Sequence, residues 1–250
     1  MAEAPGLRVE GAGEPIWTVT LDRQGRRNAL TLEQLAALPA VVADAEQQGA
    51  RALVVTGAGA AFGAGIDIGE LTGTPADQAI DVYLAEIAAR FGEATFVTVG
   101  AVEGPCVGAS LDLALGLDVL VAGESAFFEL PAVRYGLLYR AAAVQALAAR
   151  AGPQGATAML LLGARVQARE ALQMGLVAEV VPDGTALERA HELCQEALKG
   201  VPDALVASKR MLRALVADDF HAEAWDAIGE QMLSSPGRAT AVAAAKRRHT

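Results

Sequence analysis

The chain has 250 residues, 53% of them hydrophobic and only 4% aromatic, and a formal charge of −10. That size and apolar content suit one large α/β domain, alone or with a helical appendage. The acidic balance excludes generic nucleic-acid binding, which needs basic surface to neutralise phosphates.

A small polyanionic ligand stays open wherever basic residues gather, as in GRRNAL (25–30) and AKRRHT (245–250). The alternative for both is a solvated charge cluster, and for the second a frayed tail. Cys106 and Cys194 stand far apart and form no CxxC, so no disulfide framework is expected and a reducing cytoplasm is. The first residues lack the basic and apolar regions of a signal peptide. No apolar run approaches the ~18 residues of a membrane span. His191, His221 and His249 have no metal-ligand spacing to one another, and no metal is expected.

IWTVTLD (16–22) alternates and predicts a strand. LTLEQLAALPAVVADAEQQG (30–49) has helical spacing, with Thr31 as N-cap, Gln34 three residues on, and Pro39 expected to bend it. RALVVTG (51–57) predicts a buried strand, followed by a glycine-rich loop. A helix is predicted from about 76 to 91 and a buried strand in TFVTVGAV (95–102). EGPCVGASLDLALGLD then reads as a loop feeding a helix. Short strands are predicted at 119–123 and 126–128. From Ala141 the pattern turns helical: 141–151, 153–162, 168–174, 185–199, 203–217 and 219–234, with one strand at 176–181. No internal repeat or low-complexity linker interrupts the chain.

Three features invite a chemical reading. Gly57, Gly59 and Gly63 with Asp77 about 20 residues beyond suggest a dinucleotide fingerprint. The spacing is wrong by one and no clear helix opens at Ile66-Asp67-Ile68, so a flexible loop is the better account. Ser110 stands where a nucleophile could, but Leu111 and Asp112 break the G-x-S-x-G pattern and a base is far away in sequence, so a helix-packing serine is expected. The third feature is backbone. FGAGIDIGE (62–70) and GPCVGASLDLA (104–114) each bring small residues to a point where a loop enters a helix after a buried strand. Free N–H groups at such points can bind a developing oxyanion.

Taken in order, GRRNAL, VVTGAGAAFGAGIDIGEL, AVEGPCVGASLDLALGLDVLVAGESAFFELPAVRYGLL and GARVQAREALQMGLVAEVV resemble the crotonase superfamily, the enoyl-CoA hydratase/isomerase family, over roughly residues 8–250. The resemblance implies an α/β fold: a spiral of ββα repeats over about 1–190, with a helical oligomerisation region over about 191–250 that builds trimers, usually paired into hexamers. It implies an acyl-CoA thioester as substrate or ligand and no other cofactor. The N–H groups of Ile66 and Ala109 match the family's oxyanion donors. Ala64, Gly65, Asp67, Ile68 and Gly69, together with Gly108, would line the CoA and thioester. Arg26 or Arg27 would lie near the CoA phosphates, and Lys246 and Arg247 could serve a neighbouring subunit's ligand.

The resemblance also marks a departure. Hydratases of the family hold water between two glutamates, at the positions of Asp112 and Ala132. Here the first is shortened and the second is lost, and alanine transfers no proton. Glu129 is offset by three residues and is expected to point to the opposite face as a surface or structural charge. Arg140 falls where many members have glycine near the acyl group. Two functions follow as expectations. One is an enzyme that stabilises an enolate at Ile66 and Ala109, with Asp112 handling the proton, suited to isomerisation or another proton shift. The other is an acyl-CoA-binding protein that has kept the pocket and lost the chemistry.

Overall fold

The structure is a computed structural model that describes residues 4–248. It begins with β1 (Leu7–Glu10) and β2 (Ile16–Leu21), then α1 (Leu32–Gln47) and β3 (Ala52–Gly57). Next come α2 (Gln78–Glu93), β4 (Val97–Val102), β5 (Pro105–Val107) and α3 (Ala109–Leu115), then β6 (Val119–Gly123), β7 (Phe127–Glu129) and α4 (Ala141–Leu162). The remainder is β8 (Val166–Gln167), α5 (Ala168–Met174), β9 (Glu179–Val181), α6 (Ala186–Leu198), α7 (Pro202–Val216), α8 (Ala222–Leu233) and α9 (Pro236–Arg248).

Six strands form one sheet in the order β1-β2-β3-β4-β6-β9, parallel except for β1 against β2. A second layer of short extended pieces follows the strands of the large sheet. Leu30 bridges Ile66, Gly63 bridges Cys106, and β5 pairs with β7, which pairs with β8. The chain therefore repeats one turn: a long strand, a short extended piece and a helix. This is the ββα spiral that the family resemblance implies.

The central strands are buried on both faces, which is why they read as unbroken apolar runs. Val54, Val99 and Val121 pack against Ala186, Ala190 and Cys194 of α6. Trp17, Val19, Leu53 and Val55 point the other way, into the core closed by α1 and α2. Burying large side chains of this kind stabilises the fold by about 1.5–3 kcal/mol each. The boundary at 190/191 falls inside α6, whose buried side chains all face the sheet.

Local signals located most elements. Thr31 and Gln34 form the complete capping box, and α1 runs on through Pro39. The two helices predicted on either side of Gly152 form α4 with a break there, at φ 68°. The strand predicted over 176–181 is shorter, 179–181. Three short strands, β1, β5 and β8, were not predicted. At two to four residues they carry too little pattern of their own and exist through their partners. The AKRRHT segment is not a frayed tail over 245–248, where it continues α9, a run rich in helix formers that begins with Pro236 at its first position. His249 lies outside the described residues. Among those residues, no helix is long and apolar enough to cross a membrane.

Candidate active site

The loop after β3 is stitched to β5 by backbone. Gly63 N donates to Pro105 O at 2.9 Å and Val107 N donates to Gly63 O at 3.0 Å. On the outer side, Leu30 N donates to Gly65 O and Asp67 N to Leu30 O, both at 2.7 Å. These bonds use the groups on either side of Ile66 and leave its own N–H without a protein acceptor among the described residues. Ala109 opens α3, so its N–H has no intrahelical partner either.

The two amides are held close. Gly65 has φ +97°, and a Cβ there would stand 3.1 Å from Val107 O and 3.7 Å from the Ala109 nitrogen. Gly65 N donates to the Ser110 hydroxyl at 3.1 Å, deep in the core. Ser110 is thus more than the packing residue expected: it ties the loop after β3 to the helix that begins with the second free amide. Gly108 N donates to Glu129 O at 2.9 Å, which anchors the second loop to β7.

Asp67 is held by its own neighbours. It accepts from Arg23 Nη2 at 2.8 Å and from Gly69 N at 3.1 Å. The bond from Arg23, and then that from Gly69, hold its carboxyl below the usual range. Arg23, not singled out in the sequence, therefore braces the loop. Ala64 N donates to Arg27 O at 3.0 Å, so Arg26 and Arg27 sit exposed on the rim beside residues 64–69. Ile68 is exposed at the same rim. The glycine-rich stretch opens no dinucleotide-type helix. Asp77 accepts from the Thr72 backbone and hydroxyl and from Gly73 N, closing a local loop.

Asp112 lies one turn beyond Ala109 on α3 and is buried. Arg140, the residue before α4, donates from Nη2 to Asp112 Oδ1 at 2.6 Å. The side chains are 3% and 12% exposed, so this is a buried ion pair between residues 28 apart in sequence. Burial pushes the Asp112 carboxyl above its usual range, against the opposing pull of Arg140. Asp112 Oδ2 and Arg140 Nε are sealed from solvent and have no hydrogen-bond partner. Asp81, in the first turn of α2, faces the same cluster and is also raised by burial, with Arg140 opposing. Ala132 is buried at the start of a 3-10 turn and brings no polar group.

Glu129 is buried and structural. It accepts from Arg134 at 2.8 Å and from Arg165 at 3.2 Å, and Arg165 stacks 4.0 Å over Phe127. From Asp112 and Arg140 a cavity of about 760 Å³ runs between α2, α3, α4 and α7, past Ala88, Ala146, Leu212 and Val216. Asp112 and Arg140 line this cavity, while Ile66 and Ala109 do not. The histidines are elsewhere: His191 meets Thr18 at 3.1 Å and His221 lies 3.4 Å from Asp219.

A spiral of ββα turns with two unpartnered amides on adjacent loops is the arrangement of a crotonase-type protein. The enoyl-CoA hydratase/isomerase profile matches residues 11–242, and the chain belongs to that family. It is 34% identical over 196 residues to the 2,3-dehydroadipyl-CoA hydratase of Escherichia coli, covering 78% of this chain and 77% of that one. It is 31% identical over 215 residues to the enoyl-CoA hydratase EchA19 of Mycobacterium tuberculosis, with 84% and 80% covered. Among solved structures, the enoyl-CoA hydratase/carnithine racemase of Magnetospirillum magneticum superposes with a TM-score of 0.89 at 26% identity, over 98% of this chain and 94% of the other.

Proposed function

We propose that the protein binds an acyl-CoA thioester with its carbonyl oxygen between the N–H groups of Ile66 and Ala109, and that it catalyses a proton shift on the acyl group in preference to efficient hydration. The observation that carries this reading is the pair of unused amides, fixed by Gly65, Ser110 and Gly108. Preorganised donors of this kind are worth most where charge develops during reaction. On a β,γ-unsaturated acyl group, Asp112 takes a Cα proton on its unpartnered oxygen, the electron pair delocalises through the dienolate onto the thioester oxygen, and the proton is returned to Cγ as the double bond moves to the α,β position. On a saturated acyl group the same proton is removed from and returned to Cα. A carboxyl raised by burial is suited to holding that proton for a time. No water is consumed. Hydration needs a water held between two acids, and Ala132 leaves one of those places without an acid.

The exposed Arg26 and Arg27 serve as counter-charges for the CoA phosphates, residues 64–69 line the CoA, and the apolar cavity takes the acyl tail beyond Arg140. Exposed Leu212, Leu215 and Val216 on α7 favour burial between subunits of a cytoplasmic trimer or hexamer. A second reading has its own support. The buried Arg140 closes one oxygen of Asp112 and both side chains are nearly sealed, as suits a binding protein without turnover.

Three measurements separate these readings: calorimetric titration with butyryl-CoA, exchange of its Cα protons in D2O followed by NMR, and loss of crotonyl-CoA absorbance. Binding with exchange, and hydration about a hundredfold or more below a two-glutamate relative, is the expected result. Binding without exchange establishes the second reading. Absence of binding overturns both, and hydration at an ordinary hydratase rate overturns the preference for a proton shift.

A further inference from the structure

A third polar side chain, besides Asp112 and Arg140, comes close to the loop at Gly108. A Cβ placed on Gly108 would stand 3.8 Å from the Tyr139 hydroxyl and 3.8 Å from Gly65 Cα. The phenol oxygen therefore lies near Gly108, whose following peptide carries the Ala109 N–H, on the side from which Gly65 also approaches. It has no hydrogen-bond partner among the described residues. Asp112 Oδ2 and Arg140 Nε are sealed from solvent; the Tyr139 oxygen is not sealed in this way. The ring packs against the core, so the hydroxyl is held rather than waving in solvent.

We propose that Tyr139 is a catalytic residue of this site: its hydroxyl donates a third hydrogen bond to the thioester oxygen, alongside the Ile66 and Ala109 N–H groups. The inference rests on the thioester reading above and deepens it. No bond to carbon is made or broken by the phenol, and its proton stays on the tyrosine throughout. The surroundings keep that proton in place. Burial, and then the carboxyls of Asp112 and Asp81, push the phenol well above its usual range, so it is neutral and a donor across the working pH range. A neutral donor suits the local charge. Asp81 and Asp112 already supply two carboxyls against the single Arg140 cation, and a negative oxygen forming nearby is favoured by donors that bring no further negative charge. Tyr139 immediately precedes Arg140, so the same two residues set both partners. One side chain reaches the thioester loops, and the other locks Asp112.

The test is Tyr139→Phe, which removes the hydroxyl and keeps the ring that packs on the core. Circular dichroism and the urea midpoint check that the fold is retained. The probe is a conjugated chromophoric acyl-CoA, 4-dimethylaminocinnamoyl-CoA, whose absorbance moves to the red as its carbonyl is polarised; the second readout is Cα-proton exchange of butyryl-CoA in D2O. The wild type is expected to shift the probe, and Tyr139→Phe to bind it within a few-fold with a clearly smaller shift. Exchange is expected to slow at least about tenfold, less than the roughly hundredfold or more that loss of one donor of a two-donor site costs, because two N–H donors remain. A merely structural role would weaken binding and leave the shift of the bound probe unchanged.

An equal red shift in both proteins overturns the Tyr139 assignment and leaves the thioester site standing. A wild type that binds the probe without any shift, or does not bind it, overturns the thioester reading and this proposal with it. If the Tyr139→Phe change perturbs the fold, the wild-type protein with Tyr139 replaced by 3-fluorotyrosine serves instead. The more acidic phenol is then expected to enlarge the shift, and an unchanged shift counts against the assignment.

Discussion

Arg140→Met isolates the buried ion pair. The change removes the cation 2.6 Å from Asp112 and keeps an apolar side chain of similar reach at a site 12% exposed. Asp112 is then a carboxylate without a counter-charge in apolar surroundings. Instead of staying charged it takes up a proton, and that response limits the cost. Protonating at pH 7 a carboxyl whose unfolded value is 3.8 costs at most about 4 kcal/mol, at about 1.36 kcal/mol per pH unit. The expected loss of stability is therefore about 2–4 kcal/mol, in line with the cost of removing one partner of a buried pair.

The pH dependence has a definite sign. A carboxyl whose folded pKa is raised contributes its stability in full below the unfolded value and loses it as pH rises through the folded value. The deficit of the variant is thus largest near neutrality, is limited to about 2 kcal/mol at pH 5.5, and fades toward pH 3.8. Arg140→Met with Asp112→Leu removes both charges and should recover most of the loss, giving a coupling energy of about 2–3 kcal/mol. Urea unfolding of the wild type, both single variants and the double variant at pH 7.0 and 5.5 measures this, at one fixed protomer concentration because assembly shifts apparent stability. A loss below about 1 kcal/mol at pH 7, or one that does not change with pH, would refute the reasoning, since it would mean that Asp112 is already protonated beside Arg140 or that the pair is solvated.

Ala132→Glu combined with Asp112→Glu should raise crotonyl-CoA hydration by about tenfold or more, roughly one step of acid–base help, while neither change alone does much because the two acids act as a unit; a comparable gain from Ala132→Glu alone would contradict this. Ala109→Val places a branched side chain beside the second amide and should weaken butyryl-CoA binding by about tenfold, the worth of one hydrogen bond. Asp112→Asn should leave that affinity within a few-fold, and calorimetry showing unchanged affinity in the valine variant would remove the thioester from between Ile66 and Ala109. Cys106 and Cys194 are both buried thiols, with burial pushing Cys106 well above the usual range and Cys194 up to about 12. Neither should react with a thiol reagent in the native protein at neutral pH and both should in urea; rapid native labelling of either would show that the packing around α3 or α6 opens.

The sequence by itself determined what depends on neighbours along the chain. Alternation and apolar runs located β2, β3, β4 and β6, because a strand buried on two faces must be apolar throughout. The capping box at Thr31 and Gln34 placed the start of α1, and Gly152-Pro153 marked the break in α4, since both act within a turn of backbone. The two tight loops were legible for the same reason: small residues after a buried strand are required where backbone must approach backbone, as at Gly65. The absence of an acid at Ala132 was equally plain.

Only the tertiary structure decided what those loops face. Arg140 closes on Asp112 from 28 residues away, Ser110 receives Gly65 N from 45 residues away, and Arg23 braces Asp67 across 44. No spacing rule links such pairs, because the spiral alone brings successive turns into register. The short strands β1, β5 and β8 belong to the same class, as each is stabilised by a partner strand and not by its own two to four residues. Tyr139 shows the limit most clearly. Its hydroxyl comes near the place a Gly108 side chain would occupy only because the turn before α4 packs back toward α3, and a tyrosine between a leucine and an arginine carries no periodic or motif signal of that approach. Local patterns encode which segments are strands, helices and tight loops; where an unpartnered polar atom ends up is fixed by packing, which sums interactions over the whole chain.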